Sequence, residues 1–345
     1  MTTTQETEQQ KATLQWGIVG TGPISDNVVA DLSTISGAVI RGVHSRDAAK
    51  ASAFAEKVGG AFSTDNYEEL LADGRIDVVY IATPFATHYP LTRQALLAGK
   101  HVLVEKPMAM TAAEVAELFQ LAGQRNLFLM EGMWMKFNPA FVRLREEIAA
   151  GRIGEPRSVR AMFGMPFPQD DGSRWDVKRS GSTLLDQGIY PVTLAHSILG
   201  EPESIYAAGT VRSDGLDLAE HFTLEYSGGR FAHGAASTQE FADTSGSVSG
   251  TKGWIVLPGP FWATTNLRIH ADNWQTIVHN PEPVELACEG NGYVPMLRAV
   301  SEAIRIGLTE HPLHTAADTI AVFRTLDRIR SAVETGEVNR GKDEE

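Results

Sequence analysis

At 345 residues the chain is long for one domain, and 43% hydrophobic against 21% charged residues is ordinary globular composition, so two domains with separate cores are expected. Thirty Lys and Arg against 43 Asp and Glu leave a formal net charge of -13, which sets the surface against polyanions and excludes a general nucleic-acid binder. One cysteine, Cys288, rules out an internal disulfide, and no run of about 18 apolar residues is present to span a membrane, so a cytoplasmic protein is expected.

Residues 1–13 are polar and are expected to form a disordered tail, like the charged tail 338–345. From residue 14 to about 137, short apolar runs (WGIVG, AVIRGVHS, DVVYIAT, HVLVEK, LFLMEG) alternate with helical segments. Apolar strands that do not alternate with polar residues imply helices on both faces of a parallel sheet, an α/β Rossmann domain. From 138 to 337 the runs SVRAMFGMPF, SIYAAGTVRS, HFTLEYSGGRFAHGAASTQEF and GWIVLPG alternate more and are joined by Gly-rich turns. They predict a large, mostly antiparallel open-faced sheet, completed to an α+β domain by helices near 182–200, 293–309 and 315–335.

The first strand runs into GTGPIS, residues 20–25. Gly20 gives the tight bend and Gly22 lets backbone approach a pyrophosphate, with Thr21, Pro23 and Ile24 completing a turn that opens a helix; Ser25 is a small stand-in for the third glycine. An ordinary strand-to-helix turn is the alternative, but the motif lies on the first strand of a βαβ series. The second strand ends in VHSRDAAK, with Ser45 and Arg46 where an NAD enzyme places an acid, and Lys50 one helical turn on. A hydroxyl and a guanidinium suit the 2′-phosphate of NADP rather than NAD; the competing reading has Ser45 as a helix cap and Arg46 in solvent.

At a later strand end Glu105, Lys106 and Pro107 stand side by side, where open α/β sheets bind ligands. Asp186 and Tyr190 are four apart, which on an α-helix puts them on one face a turn apart. Pro191 must start or kink that helix. Oxidising an alcohol requires removal of its O–H proton as hydride leaves carbon, and a Tyr can carry that proton if a neighbouring ammonium lowers its pKa from about 10. Trp134, Lys136, Phe163, Arg174 and Trp175 are candidates to shape the substrate pocket, each Trp being equally suited to core packing. The histidines show no HxxxH or HExxH spacing, so no metal site is expected.

In the order GTGPIS, TPFATHYP, AGKHVLVEKPMAM, GRIGEP and GSTLLDQGIYPVTLAHSILG, the chain resembles the Gfo/Idh/MocA oxidoreductase family over most of residues 15–335. With EGMWMKFNP it is most similar to the dimeric dihydrodiol dehydrogenase and NADP-dependent D-xylose dehydrogenase branch. The resemblance implies that Lys106 is the catalytic lysine beside the nicotinamide and that Glu105 helps hold the nicotinamide ribose; the Lys-Pro bond is often cis in relatives, and the sequence alone leaves its isomer open. It places Thr83, Pro84 and His88 along the cofactor cleft, although Phe85 stands where relatives often have Asn. Tyr190 becomes the general acid/base, Asp186 orients, and a homodimer or homotetramer forms through the face of the second sheet. The expected activity is NADP-dependent hydride transfer at a secondary alcohol or hemiacetal carbon of a sugar, polyol or trans-dihydrodiol. The alternatives are an NAD-dependent glycosidase that retains its dinucleotide, and a noncatalytic NADP-binding sensor.

Overall fold

The computed structural model describes residues 13–169, 172–336 and 339–340. The chain divides into two compact units: one takes in the chain up to Trp134 together with Cys288–Ala316, the other Met135–Ala287 and the chain from Ala317.

In the first unit, β1 (Leu14–Val19), α1 (Pro23–Leu32), β2 (Ala38–His44), α2 (Ala48–Val58), β3 (Phe62–Thr64), α3 (Tyr67–Ala72), β4 (Val78–Ile81), α4 (His88–Leu97), β5 (His101–Val104), α5 (Ala112–Arg125) and β6 (Leu129–Glu131) follow in chain order. The six strands form a wholly parallel sheet in the order β3-β2-β1-β4-β5-β6. Strands β4 and β5 are buried almost throughout, including Val78 to Ile81 and Val102 to Val104, as expected of a sheet covered on both faces. The order reverses between β1 and β4, so the carboxyl ends of these strands open the crevice in which doubly wound folds bind ligands.

The second unit begins with α6 (Pro139–Ala149) and β7 (Pro156–Gly164), followed by α7 (Ile189–Leu199), β8 (Ser204–Val211), β9 (Asp217–Tyr226), β10 (Arg230–Ser237), β11 (Gly246–Gly250), β12 (Trp254–Leu257), β13 (Asn266–His270) and β14 (Glu282–Glu285). After α8 (Val294–Arg305) of the first unit, the chain returns through α9 (Ala316–Thr335) to β15 (Asn339–Arg340). The sheet has nine strands in the order β14-β13-β12-β11-β7-β10-β9-β8-β15, antiparallel except where β7 and β10 run parallel. Helix α7 lies against β7 and β10 on one face. The other face carries the exposed side chains of Arg160, Tyr206, His221 and His233.

Two expectations are corrected here. Of the expected charged tail, Asn339 and Arg340 add a short strand beside β8, while residues 1–12 and 341–345 lie outside the described residues. Residues 288–316, expected with the second domain, belong to the first unit. The physical reason is Asp31 of α1, 2% exposed, whose carboxylate accepts from the backbone N–H of Asn291 at 2.8 Å and of Tyr293 at 2.9 Å, and from the Asn291 amide at 3.0 Å. Gly290 is required beside it, because a Cβ there would stand 2.3 Å from the carboxylate. Asp31→Ala would leave buried donors without an acceptor, so we expect a loss of roughly 3 kcal/mol in the unfolding of this unit, measured by urea denaturation.

Candidate active site

The first unit builds the crevice from its glycine turn. Gly20 has φ 103°, and a Cβ there would stand 2.1 Å from the Ala82 carbonyl, so only glycine lets β1 and β4 close together. At Gly22 the space is open: no atom lies within 4 Å of where a Cβ would be. Gly22 is the N-cap of α1, Pro23 follows in the first turn, and no side chain caps that end. Ser25 is fully buried, which gives the close helix packing that the third glycine of such turns provides. An uncapped helix start with room above it fits a pyrophosphate of a dinucleotide.

At the end of β2 the cap of α2 is Asp47, not Ser45. Its Oδ1 accepts from Ala49 N at 3.0 Å and Lys50 N at 3.1 Å, while Ser45 Oγ accepts from Asp47 N at 3.4 Å. Ser45 is half-buried, and Arg46 and Lys50 are exposed beside it.

Beyond β4 and β5 the loops are fastened by buried side chains. The Lys106–Pro107 bond is cis. His88, 1% exposed at the start of α4, faces Pro107 O with Nδ1 and Thr83 O with Nε2, both at 2.7 Å. Only a protonated ring satisfies two carbonyls, whereas burial pushes this imidazole down in pKa. Both nitrogens are occupied, so His88 holds the loops that carry Thr83, Pro84 and Lys106 to one another. Thr87 Oγ1, which donates to Pro84 O at 2.6 Å, is also 2.8 Å from Thr83 Oγ1. From the other side, Glu131 at the end of β6 accepts from Met108 N at 2.9 Å, and His314 Nε2 stands 3.3 Å from its second oxygen. The Lys106 ammonium lies 6.0 Å from the centre of the Phe85 ring.

Glu105 is buried, and the Tyr80 hydroxyl donates to it at 2.8 Å. Burial pushes its carboxyl up to about 7, against the Tyr80 hydrogen bond and the nearby Lys106 charge. Trp134 packs against Tyr293 with ring centres 4.9 Å apart, and only glycine fits at position 292, where a Cβ would touch its ring at 2.9 Å.

In the second unit, the helical stretch with Asp186 and Tyr190 does not start as an α-helix. Leu184–Gly188 form a π-helical turn that passes into α7. Pro191 gives the physical reason: it has no N–H for the Gln187 carbonyl four residues back and would crowd it, so the turn ahead widens. The expected plain α-helical spacing of Asp186 and Tyr190 is therefore corrected; they straddle the π-to-α junction. Asp186 accepts from Arg174 Nε at 2.8 Å, and the Arg174 guanidinium lies 3.7 Å over the Phe167 ring. Tyr190, 4% exposed, has its ring centre 5.9 Å from Phe163 and 5.6 Å from Trp262. Phe163 and Trp262 stack at 3.7 Å with 11° between their planes.

The second unit thus joins Arg174 to Asp186 and Phe163 to Tyr190. Trp175 turns its Nε1 to Pro168 O at 2.7 Å, and Lys136, 4% exposed, pairs with Asp318 at 3.0 Å. Trp262 and Glu131 had not been anticipated. The signal for Trp262 was an aromatic pair in the Gly- and Pro-rich turn LPGPFW after a strand; Glu131 had none beyond its place at a strand end. Among the described residues no group of His, Cys, Asp and Glu is placed to hold a metal ion, and no helix is long and apolar enough to cross a membrane.

These features accompany a match of residues 14–133 to the oxidoreductase family GFO_IDH_MocA, NAD-binding Rossmann fold, and of residues 141–256 to the GFO/IDH/MocA C-terminal domain. The chain belongs to the Gfo/Idh/MocA oxidoreductase family. It is accordingly an NAD(P)-dependent oxidoreductase acting on CH–OH groups. It is 35% identical to trans-1,2-dihydrobenzene-1,2-diol dehydrogenase of Mus musculus over 329 residues, 93% of this chain and 97% of the relative. An aldose-aldose oxidoreductase from Caulobacter crescentus has the same fold, with TM-score 0.85 at 23% identity over 95% of this chain and 99% of the other. A 3-ketoreductase from Actinomadura kijaniata, solved with NADP and TDP-benzene, has TM-score 0.82 at 26% identity over 94% of this chain and 98% of the other.

Glu105 sets a pH dependence. The folded carboxyl keeps its proton to about 7, whereas an unfolded glutamate releases it near about 4.3. Between those values the folded chain binds more protons, so stability falls as pH rises, by on the order of 3 kcal/mol. Glu105→Gln should flatten the thermal midpoint across this window relative to the parent.

Proposed function

We propose that the protein is an NADP-dependent dehydrogenase or reductase that works on a secondary alcohol or hemiacetal carbon of a sugar, polyol or trans-dihydrodiol, with Tyr190 as general acid/base. The single observation that carries this reading is the setting of Tyr190: a nearly buried phenol between Phe163 and Trp262, at the junction from the turn whose Asp186 is held by Arg174. The ring pair offers a flat apolar wall suited to a sugar's C–H face or a dihydrodiol ring. The bound nicotinamide would accept or supply the hydride. Tyr190 takes the hydroxyl proton in oxidation and returns it in reduction, Asp186 orients the substrate hydroxyl, and Lys106 is the catalytic lysine of the nicotinamide crevice.

Gly20, Thr21, Gly22, Pro23 and Ile24 would form the pyrophosphate cradle, Thr83, Pro84 and Glu105 the nicotinamide end, and His88 would hold those loops in place. The NADP preference is supported by the capping role of Asp47, whose carboxylate is engaged by two N–H groups, leaving Ser45, Arg46 and Lys50 to meet a 2′-phosphate. The open face of the nine-stranded sheet, with Arg160, Tyr206, His221 and His233, suits a homodimer or homotetramer of a cytoplasmic enzyme.

A panel of aldoses, inositols and arene dihydrodiols with NADP and NAD tests the activity; no nicotinamide reduction with any of them would overturn it. Tyr190→Phe should lower kcat by about 10²–10⁴ while NADP binding, followed by calorimetry, stays unchanged. Arg46→Ala should raise the KM for NADP by roughly tenfold and leave NAD alone, and an equal loss for both cofactors would remove the phosphate contact.

A further inference from the structure

The helical turn that carries Asp186 is tied down just before it begins. Asp217, the first residue of β9, accepts through Oδ2 from Ser182 Oγ at 3.0 Å and from Leu184 N at 2.7 Å, and its carbonyl accepts from Thr183 Oγ1 at 2.7 Å. One strand residue thereby holds three successive residues. A bulge in β9 gives Asp217 a companion. Val211 of β8 pairs with Asp217 but Thr210 pairs with Ala219, so Leu218 is the extra residue, and positions 217 and 220 come to share a face that regular alternation would split. Glu220 is 1% exposed, and both of its carboxylate oxygens are buried with no donor on them among the described residues. The charged groups that act on it are Asp217 on its own strand and Arg330 of α9. An ionised Glu220 here would be a buried charge beside a second carboxylate, an arrangement that costs several kcal/mol unless one proton is retained. Burial first, and Asp217 next, push the Glu220 carboxyl well above the usual range.

We propose that Asp217 and Glu220 form a one-proton carboxyl clasp, Glu220 donating its O–H to Asp217, that positions the turn presenting Asp186 and Tyr190. Both are positioning residues, and the inference rests on the reading of Asp186 and Tyr190 given above. With the proton in place, Asp217 accepts from Glu220 as well as from Ser182 Oγ and Leu184 N. Without it, the buried Glu220 carboxylate faces the half-buried one of Asp217, and the turn loses its anchor.

Asp217→Ala should lower kcat by about tenfold or more, as displacement of a reacting group does, with the NADP Kd within about twofold of the parent. If that variant does not fold, Asp217→Asn, which has the same shape but no charge, should show the same split. Glu220→Gln supplies an N–H in place of the O–H and should restore turnover that Glu220→Ala loses; it should also lack the alkaline fall in kcat caused by proton loss from Glu220. A stability measurement judges the clasp separately from the activity. The folded Glu220 holds a proton that the unfolded chain releases, so parent stability falls as pH rises above the ordinary glutamate range, and in Glu220→Gln that component of the melting temperature disappears. Absence of turnover on every substrate would sink the dehydrogenase reading but leave this comparison intact. Parallel melting curves for parent and Glu220→Gln, or an unchanged kcat in Asp217→Ala, would overturn the clasp.

Discussion

The chain after β5 is held at successive residues, and the first unit's chemistry depends on that restraint. Tyr80 donates to Glu105, His88 meets the Pro107 carbonyl, and Glu131 accepts from Met108 N. These partners come from the ends of β4 and β6 and the start of α4, so the parallel sheet itself sets where Lys106 stands. All three contacts are buried, where a hydrogen bond is electrostatically stronger than in water and a lost partner is costly. A lysine on a freely moving loop would spread its charge over many positions. Here its neighbours along the chain have little freedom.

Such local fastening also explains what could be read from the sequence. The strands of the first unit are legible because a doubly covered parallel sheet demands unbroken apolar runs, and GTGPIS and EKP sit at strand ends where that topology puts ligands. Strand β3, three residues of FST, and edge strand β14, EPVE with a proline, lack both signals. The placement of residues 288–316 was hidden for a different reason. It depends on a carboxylate meeting N–H groups about 260 residues away, and no local pattern encodes that.

Within the site, residue types were more legible than geometry. Asp186, Tyr190, Phe163 and Arg174 were recognisable as polar and aromatic groups around one helix, and they do form contacts with one another in pairs. The π-helical turn was not, because a missing N–H at Pro191 announces a disturbance without saying whether the helix breaks, kinks or widens. Trp262 was missed because its partners lie on other elements, and Asp217 with Glu220 because the bulge that brings them to one face violates the very alternation by which strands are recognised.

The cap of α2 has a consequence for how cofactor choice could change. Asp47 is the acid that chain position alone would nominate for binding a ribose hydroxyl, yet two backbone amides already hold its side chain. Turning it toward a ligand would expose the start of α2 and forfeit about 1 kcal/mol of helix stability. A carboxylate meant for a ribose hydroxyl is therefore better introduced at Ser45, whose Oγ accepts a single long hydrogen bond, than taken from Asp47, because a new specificity is gained most readily at the side chain with the lighter structural duty.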